Sequence, residues 1–257
     1  MARIFITGSS DGLGLLAGKE LIAQGHTVVL HARNAAKRDQ TFKNAPGAEE
    51  VLVADLSGIE EIKSLASAAN DLGRFDAVIH NAGVYQSSRQ NDKHNGLPVL
   101  FTVNSLAPYI LTCLMPPPGR LIYMSSGMHL QGQPKLDLLA AGKYESINYS
   151  DTKLQDVILA MAVARKWPGV FSNAVNPGWV PTKMGGAGAP DSLEEGYATQ
   201  VWLAASNDNA ARQSGNYFHH KKKERFLSAA ADPEIQEKFL GLCGAITGVH
   251  FDSIKNK

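Results

Sequence analysis

The sequence predicts an α/β fold, a doubly wound parallel sheet with helices on both faces, arranged in three layers. Short apolar runs rich in Val and Ile recur along the chain, and helix-length segments separate the earlier ones. Parallel strands need connections long enough for a helix, and this spacing provides them. In the runs TVVL and DAVI, the three residues after the first are continuously apolar, as expected of strands that are buried on both faces.

Each element can be placed in chain order. The predicted strands are Arg3–Thr7, Thr27–His31, Glu50–Ala54, Asp76–His80, Arg120–Ser125 and Val170–Val175. The predicted helices are Leu13–Gln24, Ile59–Leu72, a segment that ends near Met115, Tyr149–Lys166, which Pro168 terminates, and Leu193–Ala205. Asp232–Phe251 is typical of a capped helix with a tail. Gly185–Pro190 consists of small residues and is either a mobile lid or an ordinary surface loop.

The composition fits a single domain over residues 1–257 and excludes several classes of protein. The chain has 25 basic and 24 acidic side chains, so its charge gives no general attraction to nucleic acid or to acidic membranes. Its longest apolar run, Val157–Ala164, is far shorter than the roughly 18 residues of a membrane span. Two cysteines, Cys113 and Cys243, are too few for a disulfide framework or a zinc site. With no secretory signal in the N-terminal sequence, we expect a cytoplasmic protein without a metal.

The sequence TGSSDGLG follows the first predicted strand and leads into the first helix. Gly8 permits a sharp turn, Gly12 lets backbone amides approach a pyrophosphate, and Gly14 allows the helix to pack closely on the strand. This pattern is typical of a Rossmann-type dinucleotide site. We include Ser10 and Leu13 of the same turn among the cofactor-binding residues.

The end of the second strand indicates which dinucleotide binds. An acidic residue there would accept a hydrogen bond from the ribose 2′-hydroxyl of NAD. This chain has His31-Ala32-Arg33-Asn34 instead, and the guanidinium of Arg33 can pair with the 2′-phosphate of NADP. The sequence therefore favours NADP over NAD, although NAD is possible.

Two further strand ends supply candidate cofactor contacts. Asp55 either accepts a hydrogen bond from the adenine amino group, with Leu56 beside the ring, or caps the following helix. Asn81 and Gly83 follow the fourth strand at its carboxyl end, where ligands bind in open parallel sheets. Asn81 is either a cofactor contact or a structural brace.

Tyr149 and Lys153 are four residues apart in a predicted helix, so their side chains lie on one face. A tyrosine has an ordinary pKa of about 10, and a neighbouring cation lowers that pKa toward the range of a useful acid or base. The spacing is common by chance. Asn104, Ser126 and the sequence NPGWVPT at 176–182 are predicted at the same edge of the sheet, which makes a reaction site there a specific hypothesis.

From Arg3 to about Ala205, the chain resembles the short-chain dehydrogenase/reductase family in its compact single-domain form. The resemblance rests on motifs in the family's order: TGSSDGLG, Asp55-Leu56, HNAG at 80–83, Asn104, Ser125-Ser126, YSDTK at 149–153 and NPGWVPT at 176–182. The gap between Ser126 and Tyr149 is longer than usual in the family. This gap and the segment HARN look most like the retinol-dehydrogenase-like branch, which favours NADP and lipophilic carbonyl compounds.

The resemblance implies a role for each matching residue. Tyr149 would exchange a proton with the substrate oxygen, Lys153 would lower the pKa of Tyr149 and hold the nicotinamide ribose, and Ser126 would hydrogen-bond the reacting oxygen. Asn104 would hold a water that links Lys153 to solvent. The family positions that contact the carboxamide and the phosphates are Pro177, Gly178, Val180 and Thr182.

We therefore expect an NADP-dependent oxidoreductase that interconverts a carbonyl and an alcohol, with a small lipophilic substrate and a homo-oligomeric state typical of the family. Asp11 argues for NAD, because many NADP-preferring members have a basic residue at that position. The alternatives are a catalytically silent NAD(P)-binding regulatory protein and an NAD-preferring alcohol dehydrogenase.

His219–Arg225 is predicted to be a solvated basic loop. His129 is a loop or pocket residue or, less favoured, a second proton donor, and Trp179 and Tyr197 line a substrate pocket or pack in the core.

Overall fold

A computed structural model of the chain describes residues 1–85, 93–94 and 96–251. Ten strands lie in this part of the chain: β1 (Arg3–Ile6), β2 (Thr27–Ala32), β3 (Glu50–Val53), β4 (Ala77–His80), β5 (Lys93–His94), β6 (Leu97–Pro98), β7 (Arg120–Met124), β8 (Phe171–Asn176), β9 (Asn216–His219) and β10 (Lys222–Glu224). β5 and β6 form a separate short hairpin. The other eight form one sheet in the order β3-β2-β1-β4-β7-β8-β9-β10, parallel throughout except between β9 and β10.

Helices cover both faces of the sheet. They are α1 (Gly12–Ala23), α2 (Ala35–Asn44), α3 (Ile59–Asp71), α4 (Val99–Phe101), α5 (Ala107–Leu114), α6 (Leu136–Ala140), α7 (Tyr149–Lys166), α8 (Leu193–Ala205) and α9 (Pro233–Thr247). One apolar core joins the sheet to α3, α5, α7 and α9, and a second joins its other face to α1 and α8. The predicted three-layer, doubly wound parallel sheet is confirmed.

The chain reverses direction along the sheet between β1 and β4. It proceeds outward from β1 through β2 to β3, and then crosses to the other side of β1 to form β4, β7 and β8. Ligands of open α/β sheets bind outside the carboxyl ends of the strands at such a reversal. The carboxyl ends of all six predicted strands face this one edge.

The six predicted strands are all present, with ends that differ by one residue at most. α7 and α8 have the predicted bounds, and α9 begins after Asp232, which caps it. The prediction of a loop at His219–Arg225 is wrong. This segment is the β9–β10 hairpin, whose turn residues His220 and Lys221 both have positive φ. Its basic side chains are nevertheless largely exposed, as expected. No helix among the described residues is long and apolar enough to cross a membrane.

Candidate active site

The glycine turn between β1 and α1 is built around close backbone contacts. Gly8 has a φ of +61°, and a Cβ atom there would lie 2.6 Å from Cα of Ala82. A Cβ atom at Gly14 would lie 2.4 Å from Nδ2 of Asn81. This Nδ2 donates to the carbonyl oxygens of Thr7 and Gly8, each at 3.0 Å. Asn81 therefore braces the turn. A larger residue at Gly8 would displace Ala82, and a larger residue at Gly14 would displace the Asn81 side chain.

His31 is a part of this turn that the sequence analysis missed. Its side chain is 3% exposed, its Nδ1 accepts from the Gly8 amide at 2.9 Å, and its Nε2 donates to the Ala54 carbonyl at 3.0 Å. Burial lowers the pKa of His31 to about 4, so the ring is neutral at physiological pH. The neutral ring ties the glycine turn to the ends of β2 and β3.

A cavity of about 650 Å³ opens at the carboxyl edge of the sheet. Most of the predicted cofactor-binding residues line it: Gly8, Ser10, Gly12, Leu13, Arg33, Asp55, Leu56, Asn81, Gly83, Tyr149, Lys153, Pro177 and Thr182. Arg33 is exposed at the end of β2. Gly14, Gly178 and Val180 are outside the lining, and so are the predicted catalytic residues Asn104 and Ser126. The fold thus brings cofactor candidates from five strand ends and from α7 to one cavity.

Asp55 does not cap α3, because the N-cap of that helix is Gly58 and no side chain caps it. Instead, Oδ1 of Asp55 accepts from the Ser57 amide at 3.0 Å in the turn that precedes the helix. Leu56 is 5% exposed and belongs to the core beneath the cavity. Because both residues also line the cavity, a contact with adenine stays a prediction.

Tyr149 is the first residue of α7. Asn148 caps this helix through a reciprocal pair of hydrogen bonds with Asp151, at 3.0 Å each, so the position of the phenol is fixed by the helix start. The ring packs against Tyr85, with 4.4 Å between the ring centroids. Tyr85 follows the HNAG sequence, and the sequence analysis did not identify it.

The surroundings of Tyr149 act on its pKa in opposite directions. Burial raises this pKa and is the largest effect, whereas Lys153 and a side-chain hydrogen bond with Ser126 lower it. Asp156 raises it. The net effect is a raised pKa, which favours the protonated phenol at neutral pH. Tyr149 in this arrangement is suited to donate a proton.

Lys153 is held on the floor of the site, below Tyr149. Its Nζ donates to the Met124 carbonyl and to Oδ2 of Asp156, each at 2.8 Å, and lies 5.7 Å from the centroid of the Tyr149 ring. The side chain is 5% exposed. Burial opposes its charged form, but Asp156 and Tyr149 outweigh burial and raise the pKa of Lys153. The lysine is therefore a buried cation in contact with the site.

The two serines at the end of β7 have different surroundings. Ser125 is 3% exposed and its hydroxyl donates to the Lys153 carbonyl at 2.7 Å, which ties β7 to α7. Ser126 is half-buried, accepts from the Met128 amide at 3.2 Å and hydrogen-bonds Tyr149. Despite the long gap in sequence, Ser126 and Tyr149 are brought together.

Asn104 lies in a π-helical turn (Thr102–Leu106) between α4 and α5, a feature that often occurs at functional sites. It is 1% exposed. Its Oδ1 accepts from the Val84 amide at 2.8 Å, and its Nδ2 donates to the Val84 carbonyl and to Thr152 Oγ1. The side chain therefore links this turn to α7 and to the segment after β4, and a water relay through Asn104 stays a prediction.

The long gap between Ser126 and Tyr149 forms two short 3₁₀ turns and α6. His129 in this region is 1% exposed. Its Nδ1 donates to the Ser126 carbonyl at 2.8 Å, and its Nε2 accepts from the Leu227 amide at 3.3 Å. Because both ring nitrogens are engaged by backbone groups, the structure argues against a proton-donor role for His129.

The loop after β8 crosses the mouth of the cavity. Trp179 is 59% exposed, its Nε1 donates to the Gly185 carbonyl at 2.8 Å, and its backbone pairs with Asp191. Lys183 forms an ion pair with Asp11 of the glycine turn at 2.9 Å. These contacts give the loop a defined path, and the lid hypothesis for Gly185–Pro190 stays a prediction. Tyr197 packs partly against the core beside α1, and neither it nor Trp179 lines the cavity.

In the described part of the chain, no group of three or more His, Cys, Asp or Glu residues is placed to hold a metal ion. The site itself presents a phenol, an ammonium and a hydroxyl, from Tyr149, Lys153 and Ser126. These groups can donate a proton to a single substrate oxygen, accept a proton from it and hydrogen-bond it.

Solved structures share the fold. A protein of uncharacterized function from Mycobacterium paratuberculosis has a TM-score of 0.82 at 20% identity, with 98% of this chain and 95% of that chain covered. The NADPH-bound carbonyl reductase from chicken fatty liver has a TM-score of 0.68 at 18% identity, with 88% and 94% covered. At these identities, the likeness shows the architecture alone.

Sequence comparisons identify the family. Residues 2–192 match the profile described as short chain dehydrogenase. The chain is 45% identical over 254 residues to an uncharacterized oxidoreductase of Emericella nidulans, covering 97% of this chain and 98% of that protein. It is 42% identical over 257 residues to the short-chain dehydrogenase chyC of Penicillium rubens, with 97% and 98% covered.

Similarity to the retinol-dehydrogenase-like branch is also found, at lower identity. Retinol dehydrogenase 14 of Mus musculus is 26% identical over 288 residues, with 96% of this chain and 86% of that protein covered. Since the family profile spans most of the chain and the relatives match along nearly its whole length, the chain is an oxidoreductase that belongs to the short-chain dehydrogenase/reductase family.

Proposed function

We propose that the chain is an NADP-dependent oxidoreductase that interconverts a carbonyl and an alcohol, with Tyr149 as general acid and base. The observation that carries the proposal is that Tyr149 and Lys153 line one cavity together with the glycine turn, and that Ser126 lies beside Tyr149. When bound, the dinucleotide supplies or accepts the hydride. The residues of the chain bind and orient the two reactants and move the proton.

In the reducing direction, the raised pKa of Tyr149 keeps its hydroxyl protonated near the substrate carbonyl. Ser126 hydrogen-bonds the same oxygen and stabilises the negative charge that develops on it. Tyr149 then gives its proton to that oxygen, and Lys153 stabilises the phenolate that remains. In the oxidising direction, the phenolate removes the alcohol proton.

The residues at the adenosine end fit NADP. The Arg33 guanidinium is exposed at the cavity, where a 2′-phosphate can form charge-assisted hydrogen bonds with it. The ion pair with Lys183 offsets the negative charge of Asp11. Asp11 is therefore a weaker indication of a preference for NAD than the sequence alone suggests. The NADPH bound to the carbonyl reductase of the same fold is consistent with this assignment.

The reacting end of the cavity favours a lipophilic substrate. Tyr85 packs against Tyr149, and the other apolar residues that line the cavity include Val84, Val99, Val103, Met124 and Met184. Such walls bind an apolar body and leave the few polar groups to orient the reacting oxygen. We therefore propose aldehydes or ketones with an apolar or aromatic body as substrates.

The test is NADPH consumption with a panel of aldehydes and ketones, compared between the unaltered chain and Tyr149→Phe. We expect turnover with at least one apolar carbonyl compound, and a loss of about 10²–10⁴-fold in Tyr149→Phe, the usual contribution of a general acid. Tyr144→Phe is the matched control, because Tyr144 stacks on Phe101 and is absent from the cavity lining. NADPH binding without turnover across the panel would contradict the proposal and support a regulatory protein.

A further inference from the structure

A buried carboxylate lies directly behind the candidate catalytic lysine. Asp156 is one turn after Lys153 on α7, is 4% exposed, and accepts from Nζ of Lys153 at 2.8 Å. The YSDTK motif ends at Lys153 and the next family motif begins at Asn176, so none of these motifs assigns a role to Asp156. A carboxylate buried in a helix is costly unless it is paired, so this ion pair is a built feature of the site.

The ion pair limits the directions in which the Lys153 ammonium can donate hydrogen bonds. An ammonium has three N–H donors. One is directed to the Met124 carbonyl on β7 and a second to Asp156 on α7, each at 2.8 Å. The third is left for the cavity, which Lys153 lines together with Tyr149. Asp156 thus fixes the place of the ammonium and the direction of its remaining donor.

Asp156 also acts on the phenol itself. The titratable groups that share its electrostatic environment are Lys153 and Tyr149 on α7 and Tyr123 on β7. Lys153 lowers the pKa of Tyr149, whereas Asp156 raises it. Tyr123 is neutral, because burial raises its pKa, and its hydroxyl is hydrogen-bonded to Thr112. His80, which stacks on Tyr123, is also neutral, because burial lowers its pKa to about 3.

We propose that Asp156 is a positioning residue of this site, which holds the Lys153 ammonium in place and offsets part of the effect of its charge on Tyr149. The proposal rests on the function proposed above. Burial raises the pKa of Asp156 to about 6, so its carboxylate is charged in the range where this offset matters. Asp156 does not change the equilibrium of the reaction. It changes the pH at which each direction is fastest, so that reduction is favoured near neutrality and alcohol oxidation needs a higher pH.

The first test measures the ionisation of Tyr149 without any substrate. The chain has seven tyrosines, so the phenolate absorbance of each protein is recorded against the same protein with Tyr149→Phe added, which isolates Tyr149. In Asp156→Asn, we expect the Tyr149 titration to move to lower pH by about half a unit to one unit, because one nearby negative charge is lost. Asp156→Glu keeps the charge and should remain close to the unaltered chain.

Asp137→Asn is the matched control, since it removes the same charge from a side chain that is 94% exposed. It should leave the Tyr149 titration unchanged. If Asp156→Asn does not fold, as judged by circular dichroism, Asp156→Ser replaces it, because the smaller side chain leaves room for a water beside the ammonium. An unchanged or upward-shifted Tyr149 titration in the folded variant would overturn the proposal.

The second test uses turnover. When kcat/KM for alcohol oxidation is plotted against pH, its rising limb reports the pKa of the base in the free enzyme. In Asp156→Asn, this limb should move to lower pH by the same amount as the absorbance titration. A purely structural role for Asp156 would lower activity at all pH values without moving this limb. If the unaltered chain shows no turnover, the proposed function fails, whereas the absorbance titration still decides the effect of Asp156 on Tyr149.

Discussion

The cofactor end and the reacting end of the cavity are held together in different ways. At the cofactor end, the decisive contacts are made by backbone atoms that approach closely, as Gly8 does with Ala82. At the reacting end, the decisive contacts are made by a buried polar side chain, because Lys153 on α7 donates to Asp156 on the same helix and to the Met124 carbonyl on β7. The first kind of region requires glycine at fixed positions of one short motif. The second depends on buried side chains and on the packing of α7 against β7, so its chemistry is tuned by residues outside any short motif.

The largest effect is expected for Gly8→Ala, which tests the backbone origin of the cofactor end. An alanine at this positive φ should lower the free energy of unfolding by about 1–2 kcal/mol. Crowding of its Cβ atom against Ala82 should lower that free energy by about 1–3 kcal/mol more. Gly25→Ala is the control, because Gly25 has a φ of +83° and no atom within 4 Å of a Cβ atom there. The measurement is urea unfolding. Equal losses in the two variants would mean that close approach at Gly8 does not matter.

A smaller and more selective effect is expected for Arg33→Ala. Loss of the charge-assisted hydrogen bonds to a 2′-phosphate should weaken NADP binding by about 10–100-fold and change NAD binding by less than about twofold. Isothermal titration calorimetry measures both. Arg38→Ala is the control, since Arg38 is a nearby exposed residue paired with Glu50. If NADP and NAD weaken equally, Arg33 has no part in choosing the cofactor.

A pH-dependent effect of similar size concerns His31, a buried side chain that braces the glycine turn. Unfolded histidine takes up a proton near its ordinary pKa of 6.5, whereas folded His31 does so only near 4. The unfolded state therefore binds more protons between these values, and stability falls as the pH is lowered through this range. From pH 7 to pH 5, His31→Gln should lose less unfolding free energy than the unaltered chain, by on the order of 2 kcal/mol.

Urea unfolding at the two pH values measures this difference. His80, which is also buried with a lowered pKa, is present in both proteins and contributes equally to each. Identical losses in the two proteins would show that His31 is not the neutral brace described above.

The same contrast explains what the sequence could predict. The strands of the sheet were predictable because continuous apolar runs signal burial on both faces, and the start of α7 at Tyr149 follows a strong cap at Asn148. Both signals are local. The fold and the cofactor edge follow from them almost completely.

The residues that were missed lack such a local signal. Asp156 has the same spacing from Lys153 that an exposed surface pair would have, and only the packing around α7 buries it. The β9–β10 hairpin has His220 and Lys221 where positive φ usually selects Gly or Asn, so no turn signal is present. α2 is a polar helix in which Thr41 is the buried residue, so it shows no apolar periodicity.

The most direct test of the account compares binding and turnover in Tyr149→Phe and Arg33→Ala. Calorimetry gives the Kd for NADPH of each variant, and saturating NADPH with one accepted carbonyl substrate gives kcat. We predict that Tyr149→Phe binds NADPH about as tightly as the unaltered chain and loses kcat, whereas Arg33→Ala binds weakly and retains kcat at saturation. Loss of binding and of kcat together in both variants, or full turnover by Tyr149→Phe, would contradict the division into a cofactor end and a reacting end.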